Sequence, residues 1–364
     1  MNQSIDKKSN ERGNQGLDYP EKNGNFEGIS ELIKEKTILI TGGAGALGRK
    51  LIERFLEYNP KEIIVFSRDE EKQDKVKKKY GHKKLKYIIG DVKDYHSVRD
   101  AVRNVDIVIH ASAFKYLDIA EKQVMECIKT NVLGSMNVIS AVKDEKNIEI
   151  CLAISTDKAS APINIYGMSK AIMERLFCEA EKTKGNLKTK FLIVRYGNVL
   201  MTTGSVVPKW KESVEKGEPI LITNPNMTRF LFTLDDSINL IFYTLVNGKG
   251  GDIISTKMPS VLLGDLAKVM SRGKVQVKII GMRAGEKINE CLIADFECKD
   301  SIDLGENYLI RPHSNIGIND ERGLKKPFTS DETKILKDEE ISVLLRKVNA
   351  IENNYFLTNG DVKQ

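Results

Sequence analysis

The stretch Thr37-Ile38-Leu39-Ile40-Thr41-Gly42-Gly43-Ala44-Gly45-Ala46-Leu47-Gly48 decides how the rest of the chain is read. A run of β-branched and apolar residues ends in glycines at 42, 45 and 48, and an amphipathic pattern occupies 47–58. Glycine allows a tight turn and lets backbone N–H groups approach a bound group, while a helix opening directly afterwards presents the positive end of its dipole. Glycine alone would suit any sharp turn from strand to helix. Set between a strand and a helix, this spacing predicts a dinucleotide pyrophosphate site with Gly42, Gly45, Ala46, Leu47 and Gly48 around the phosphates.

Working outward, strand-like runs recur at 62–67, 85–90, 106–110, 149–155 and 191–196, with helical patterns between them, for example at 131–142. This alternation predicts an α/β fold, a Rossmann-type doubly wound parallel sheet. After Asn198 the alternation weakens, and turn signals stand at Gly217-Glu218-Pro219 and Asn224-Pro225-Asn226. Helical patterns at 234–246 and 262–270 and a strand-like 275–280 complete a smaller C-terminal lobe. The expected division is a flexible arm at 1–35 ending in a short helix, and a Rossmann domain at 36–200 that takes returning segments from the C-terminal half. A substrate-binding lobe at 201–350 and a frayed tail at 351–364 follow.

Composition narrows the function. With 364 residues, 41% hydrophobic and 30% charged, the chain can bury a substantial core. The 57 basic and 51 acidic residues leave a net charge of only +6, and no recognition motif or aromatic platform accompanies the basic ones, so nucleic acid is not an expected partner. The five cysteines lack metal-ligand spacing, which points to no metal and to a reducing cytoplasm. No run approaches the roughly 20 apolar residues of a membrane helix.

The strand ends carry the next signals. Ser67-Arg68-Asp69 closes the second strand, where an NAD-selective site places an acidic residue on the ribose 2′-OH. A guanidinium suits a 2′-phosphate, so Ser67 and Arg68 favour NADP, while Asp69 keeps NAD open. Asp91 and Val92 end the third strand beside the expected adenine. His110-Ala111-Ser112-Ala113 ends the fourth with small side chains along the cofactor path, and His110 reads equally as a hydrogen-bonded core histidine. After the fifth strand come Ser155-Thr156-Asp157-Lys158-Ala159 and Tyr166-Gly167-Met168-Ser169-Lys170. Tyrosine and lysine four apart share one helix face, so the ammonium can lower the phenol pKa and hold a ribose. Asp157 and Lys158 add an acid and a base beside a redox centre.

From 36 to 348 the chain resembles the soluble, inverting UDP-N-acetylglucosamine 4,6-dehydratases, a branch of the extended short-chain dehydrogenases that builds surface glycans. The resemblance rests on the motifs just quoted together with Phe114-Lys115, Lys129-Thr130-Asn131-Val132, Arg195-Tyr196-Gly197-Asn198-Val199, Asn226-Met227-Thr228-Arg229-Phe230 and Arg283-Ala284-Gly285-Glu286-Lys287. Tyr166 stands where membrane-bound, configuration-retaining relatives usually carry Met. The chain departs from the pattern at Tyr116-Leu117-Asp118, Val124, Thr203 and Asn224.

The resemblance implies a cytoplasmic lyase that acts on a UDP-sugar with NADP and forms a homo-oligomer. Tyr166 would be the base for oxidation at C4, supported by Lys170; Lys158 would then remove the C5 proton while Asp157 protonates the departing 6-OH. A lysine base needs a pKa depressed by about 3 units. The resemblance adds Lys72, Lys115 and Asn131 to the cofactor site. It assigns Lys115, Thr156, Asn198, Ser205, Val206, Arg229, Arg283 and Glu286 to the substrate, with Arg229, Arg283 and Lys287 candidates for its phosphates. Two other readings stay open. One is a UDP-N-acetylhexosamine 4-epimerase on the same scaffold; the other is a non-catalytic NADP-binding regulator, which would carry a damaged Tyr and Lys pair.

Overall fold

A computed structural model describes residues 28–202, 204–318 and 320–352. The expected arm up to residue 27, the tail beyond 352 and the departure at Thr203 therefore lie outside the described residues. Seven parallel strands form the centre of the sheet: β1 (Thr37–Thr41), β2 (Glu62–Ser67), β3 (Leu85–Ile89), β4 (Ile107–His110), β5 (Ile150–Thr156), β6 (Lys190–Tyr196) and β7 (Ile253–Thr256). Two antiparallel strands from the C-terminal half, β8 (Ser301–Asp303) and β9 (Asn307–Ile310), close one edge, giving the order β8-β9-β7-β6-β5-β4-β1-β2-β3. The fold is the doubly wound α/β sheet that the alternation predicts. Its reversal between β1 and β4 opens the crevice in which such sheets bind ligands.

Strands β1, β2 and β4 are almost wholly apolar because both sheet faces are covered. One face packs on helices Ala46–Leu56 and Leu234–Asn247 through Phe55, Ile241 and Phe242; the other packs on Tyr95–Ala101, Gly134–Asp144 and Ile165–Lys182 through Val98, Val138 and Phe177. A separate core built on Trp210, Leu266 and Ile341 gathers helices Val206–Lys216, Leu263–Ser271 and Asp338–Lys347 into a lobe. Asn198–Val199 links lobe and sheet by pairing with Thr228–Phe232 directly after β6.

Two local features correct the expectation from sequence. The predicted helix at 131–142 begins as a π-turn over Lys129–Leu133 and becomes an α-helix only at Gly134–Asp144. The short helix expected at the end of a mobile arm, Ile29–Ile33, is part of the core: Ile29 and Ile33 are buried and Leu32 packs beside them. The described fold thus starts ahead of β1. A helix of five residues has little stability of its own, so its two isoleucines hold it in place. Ile33→Ala should lower the stability of the whole domain by about 2–5 kcal/mol in urea unfolding. A loss under about 0.5 kcal/mol would show that the helix is not part of the core.

Candidate active site

A cavity of about 910 Å³ runs along the carboxyl ends of β1 to β6 and beneath the C-terminal lobe. At its sheet end the glycine turn is close-packed. Gly42 has φ 69°, and a Cβ there would lie 3.0 Å from the backbone of Ala111 and Ser112, so only glycine fits. Gly45, Ala46, Leu47 and Gly48 open helix Ala46–Leu56 toward the cavity, and Ala111, Ser112 and Ala113 border it from the end of β4. Eleven residues of helix place a positive dipole end at this wall, so the turn can hold an anionic pyrophosphate.

At the end of β2 the Asp69 side chain caps helix Glu70–Tyr80 by accepting from the Lys72 backbone N–H at 2.9 Å, and it pairs with Lys72 Nζ at 2.6 Å. The lysine beside it holds the Asp69 carboxyl below its ordinary value. Asp69 is thus already committed. Arg68 is largely exposed and lies 3.8 Å from Asp91, leaving its guanidinium available at the cavity rim with Ser67, Lys72, Asp91 and Val92. Gln73, which no motif singles out, is buried and donates to the carbonyls of Val65, Ser67 and Ile88, tying the ends of β2 and β3 together.

His110 is a core histidine. It bonds Thr41 at 2.8 Å and Ser135 at 3.0 Å, and burial, reinforced by the charge of Lys170, takes its pKa down to about 3, so the ring is neutral. Asn131 does not border the cavity as expected for a cofactor ligand. It lies buried in the π-turn, where it brackets the backbone of Phe114 at 2.7 and 2.9 Å and donates to Ser169 at 2.9 Å. Its role is to brace the segment between β4 and the Tyr166 helix.

Tyr166 and Lys170 sit on helix Ile165–Lys182, capped by Asn164, whose Oδ1 accepts from the Gly167 N–H at 2.7 Å. Gly167 permits a close approach: a Cβ there would come within 2.2 Å of the Lys158 carbonyl oxygen. Both side chains face the cavity. Burial pushes the Tyr166 phenol up to about 12 and the Lys170 amine down to about 8, and Lys170 Nζ contacts Met173 Sδ at 2.9 Å. In this state the cation that eases the phenol is Lys158 rather than Lys170, and Thr156 adds a hydrogen bond in the same direction.

The acid and base pair departs most from expectation. Lys158 Nζ lies 3.1 Å from Asp157 Oδ1, 3.1 Å from Asn198 Oδ1 and 3.3 Å from Glu290 Oε1. Burial alone would depress its pKa, but the Asp157 and Glu290 carboxylates outweigh burial and hold it above the ordinary lysine value, so the depression a lysine base needs is absent. Asp157 is wholly buried behind the cavity wall, bonded to Thr156 at 2.8 Å, and burial pushes its carboxyl up. Glu290 borders the cavity and has Arg229 Nε at 3.7 Å. Lys158, Arg229 and Lys287 overcome its burial and keep it ionised.

The remaining expected substrate residues divide. Lys115, Thr156, Asn198, Ser205, Val206, Arg229, Arg283 and Glu286 all border the cavity. Ser205 and Val206 stand at the start of helix Val206–Lys216. Arg229 spends its guanidinium on the carbonyls of Thr228, Lys287 and Ile288, and Lys287 donates to the Ser160 carbonyl at 2.9 Å; both brace the lobe. Arg283 is half-exposed and meets Asp118 at 3.1 Å across the cavity mouth, and Glu286 secures its turn by accepting from the Arg283 N–H. Glu290 was invisible in sequence because its partners are remote: Arg229 in strand Thr228–Phe232 and Lys158 in the turn after β5.

The chain matches the polysaccharide biosynthesis protein family over residues 38–312. It belongs to that family. Among similar proteins, the inverting UDP-N-acetylglucosamine 4,6-dehydratase of Campylobacter jejuni is 41% identical over 77% of this chain and 84% of its own length. The UDP-glucose 4-epimerase of Rickettsia typhi is 39% identical over 88% of this chain and 98% of its own. The structure of DesIV, a dTDP-glucose 4,6-dehydratase from Streptomyces venezuelae with NAD and TYD bound, superposes with a TM-score of 0.63 at 20% identity. It covers 69% of this chain and 86% of its own, a likeness of fold. The family member is therefore an enzyme of the nucleotide-sugar dehydratase and epimerase group. Among the described residues no helix is long and apolar enough to cross a membrane.

A pH titration comparing the protein with its Tyr166→Phe variant should find the Tyr166 phenol still protonated at pH 10, the ordinary tyrosine midpoint. Half-ionisation at or below that pH would contradict the desolvated site described here.

Proposed function

We propose that the protein is a nicotinamide-dependent UDP-N-acetylglucosamine 4,6-dehydratase that inverts C5, giving a UDP-4-keto-6-deoxy-N-acetylhexosamine. One observation carries this reading. Beside Tyr166 and Lys170, which suffice for oxidation and re-reduction at C4, the same cavity wall holds Lys158 in a buried carboxylate cluster. A site that only moved hydride would have no use for that second proton-handling centre. The glycine turn, Asp91 and the β4 end would hold the dinucleotide, whose nicotinamide supplies a hydride acceptor and later returns the hydride. Tyr166 takes the proton of the C4 hydroxyl, and Thr156 and Lys158 ease its ionisation. For the elimination Lys158 would first pass its proton to Asp157, 3.1 Å away. It would then take the C5 proton as the amine while the protonated Asp157 gives its proton to the departing 6-hydroxyl. The start of helix Val206–Lys216 and Arg283 suit the phosphates.

Incubation with UDP-N-acetylglucosamine in deuterated water should yield a 4-keto-6-deoxy product carrying solvent deuterium at C5 with inverted configuration, read by NMR. The second reading, a 4-epimerase, is favoured by relatives of that name that align over more of the chain. UDP-N-acetylgalactosamine without solvent deuterium would establish it in place of the dehydratase.

We further propose NADP as the preferred cofactor, since Asp69 is occupied as a helix cap and Arg68 is left at the rim. Mass analysis of cofactor released from the purified protein should find NADP, and Arg68→Ala should weaken NADP binding about tenfold or more while sparing NAD. Recovery of NAD alone, with Arg68→Ala unchanged in affinity, would overturn it.

A further inference from the structure

The three basic residues expected at the phosphates of a nucleotide sugar are left in different states. Arg229 gives its guanidinium to the carbonyls of Thr228, Lys287 and Ile288, and Lys287 gives its ammonium to the Ser160 carbonyl. The Arg283 side chain makes a single polar contact among the described residues, from Nη1 to Asp118 Oδ2 at 3.1 Å. Both side chains border the cavity and are about half exposed, 47% for Arg283 and 58% for Asp118. An ion pair so exposed is held weakly. One bond also leaves the rest of the guanidinium fork open, the part that meets a phosphate with paired hydrogen bonds.

The backbones that carry the pair are fixed. Tyr116, two residues before Asp118, packs its ring on Gly204, where a Cβ would fall 2.4 Å from Tyr116 Cε1. Gly204 in turn stands just ahead of helix Val206–Lys216, whose start suits the phosphates. Behind Asp118, Glu121 accepts from the Ile165 N–H at 2.7 Å. On the opposite lip Glu286 accepts from the Arg283 N–H at 3.0 Å, and Asn164 donates to the Gly285 carbonyl at 2.8 Å. Gly285, at φ 80°, comes so close that a Cβ there would lie 2.9 Å from Asn164 Cβ. Both lips are thus tied to the start of the Tyr166 helix, and the Asp118–Arg283 pair can open by side-chain rotation with neither lip displaced.

We propose that Asp118 is a placeholder for the substrate's diphosphate: it holds Arg283 across the cavity mouth until the diphosphate of a UDP-sugar takes the guanidinium over. It is a positioning residue that acts through Arg283 and sets how tightly the nucleotide binds. The proposal rests on the nucleotide-sugar part of the functional reading and is indifferent to whether the sugar is dehydrated or epimerised. A diphosphate offers more charge and more acceptor oxygens than one carboxylate, so it wins the exchange. Each binding event must still break the Asp118 contact and leave that carboxylate near a like charge, and this cost is subtracted from the affinity. Uridine, which carries no phosphate, has nothing with which to displace Asp118. As a stabilising contact alone the pair would contribute little at this exposure.

The test is calorimetric titration of the intact protein with UDP at low salt, with uridine as the phosphate-free control. Both positions are exposed, so the substitutions leave the core intact. Asp118→Asn should bind UDP about threefold or more tighter than the wild type, the scale of an exposed ion pair, with uridine unchanged. Asp118→Glu, which restores the charge, should return UDP affinity toward the wild-type value. Arg283→Ala should bind UDP about tenfold more weakly, and adding Asp118→Asn to it should bring no gain. UDP affinity that is unchanged or lower in Asp118→Asn overturns the proposal. So does a gain of the same size in the Arg283→Ala background, since that marks the general field of a carboxylate rather than exchange of Arg283. Absence of UDP binding in every variant overturns it as well. The titration involves no turnover: a protein that binds UDP as expected yet releases no 4-keto-6-deoxy sugar refutes the dehydratase reading and leaves the placeholder standing.

Discussion

The arrangement of the candidate site depends on one buried guanidinium. Arg195, near the end of β6, is almost fully enclosed and binds both oxygens of Glu174 at 2.9 and 2.6 Å and both oxygens of Glu297 at 2.9 and 2.8 Å. Its planar fork matches two carboxylates at once, which a lysine could not do. Glu174 lies on the Tyr166 helix and Glu297 on the C-terminal return, so the sheet, the helix and the lobe meet at this side chain. Glu297 also accepts from the Ser160 hydroxyl at 2.9 Å, and Lys287 and Asn164 add bonds between the return and the loop after β5. Removing one member would strand the other charges in a dry interior, which typically costs about 3–5 kcal/mol. The distance between Tyr166 and Lys158 is therefore set from outside the cavity.

The two lysines of the site show how local partners override a shared burial. Lys170 has a thioether as its nearest acceptor, and the carboxylate of Glu174 only partly offsets desolvation, so its pKa falls to about 8. That fall from 10.5 corresponds to about 3 kcal/mol in favour of the neutral amine. The unfolded chain binds the proton more tightly, so this group opposes folding in full below pH 8, and the penalty fades as pH rises toward 10.5. Lys158 is as deeply placed but touches two carboxylates, and there the balance reverses. Burial thus favours the neutral amine at one lysine, while the neighbouring carboxylates favour the cation at the other. The sequence, which places them twelve residues apart in one motif region, gives no hint of that contrast.

What could be read in advance was local. The glycine turn, the strand ends and the tyrosine and lysine four apart are each fixed by a few adjacent residues, and the structure brings all of them to one cavity. Asn131, expected beside the cofactor, bonds Phe114 and Ser169 from a π-turn that the sequence pattern reads as plain helix. Glu290 and the Arg195 cluster were not legible because each is defined by partners distant in sequence, and Gln73 because its role depends on how the ends of β2 and β3 are set side by side. Ile29 and Ile33 were hidden by the polar stretch ahead of them; two apolar residues become a core contact only once helix Leu234–Asn247 offers a surface.

Epimerase and dehydratase share every step up to the C4 ketone, so the cofactor half of this site cannot separate them. The separation lies in what surrounds C5 and C6 of a bound sugar. Hydride return to C4 needs the sugar to turn over within the cavity, and a wall that grips the sugar by ionic groups would hinder that rotation. Elimination needs the opposite: a sugar held still while a proton leaves one carbon and a hydroxyl leaves the next, each to a group already in place. Lys158, Glu290 and Arg229 form a rigid, charge-compensated wall, each tied to at least two partners. Such a wall suits elimination from a fixed sugar better than rotation of a free one.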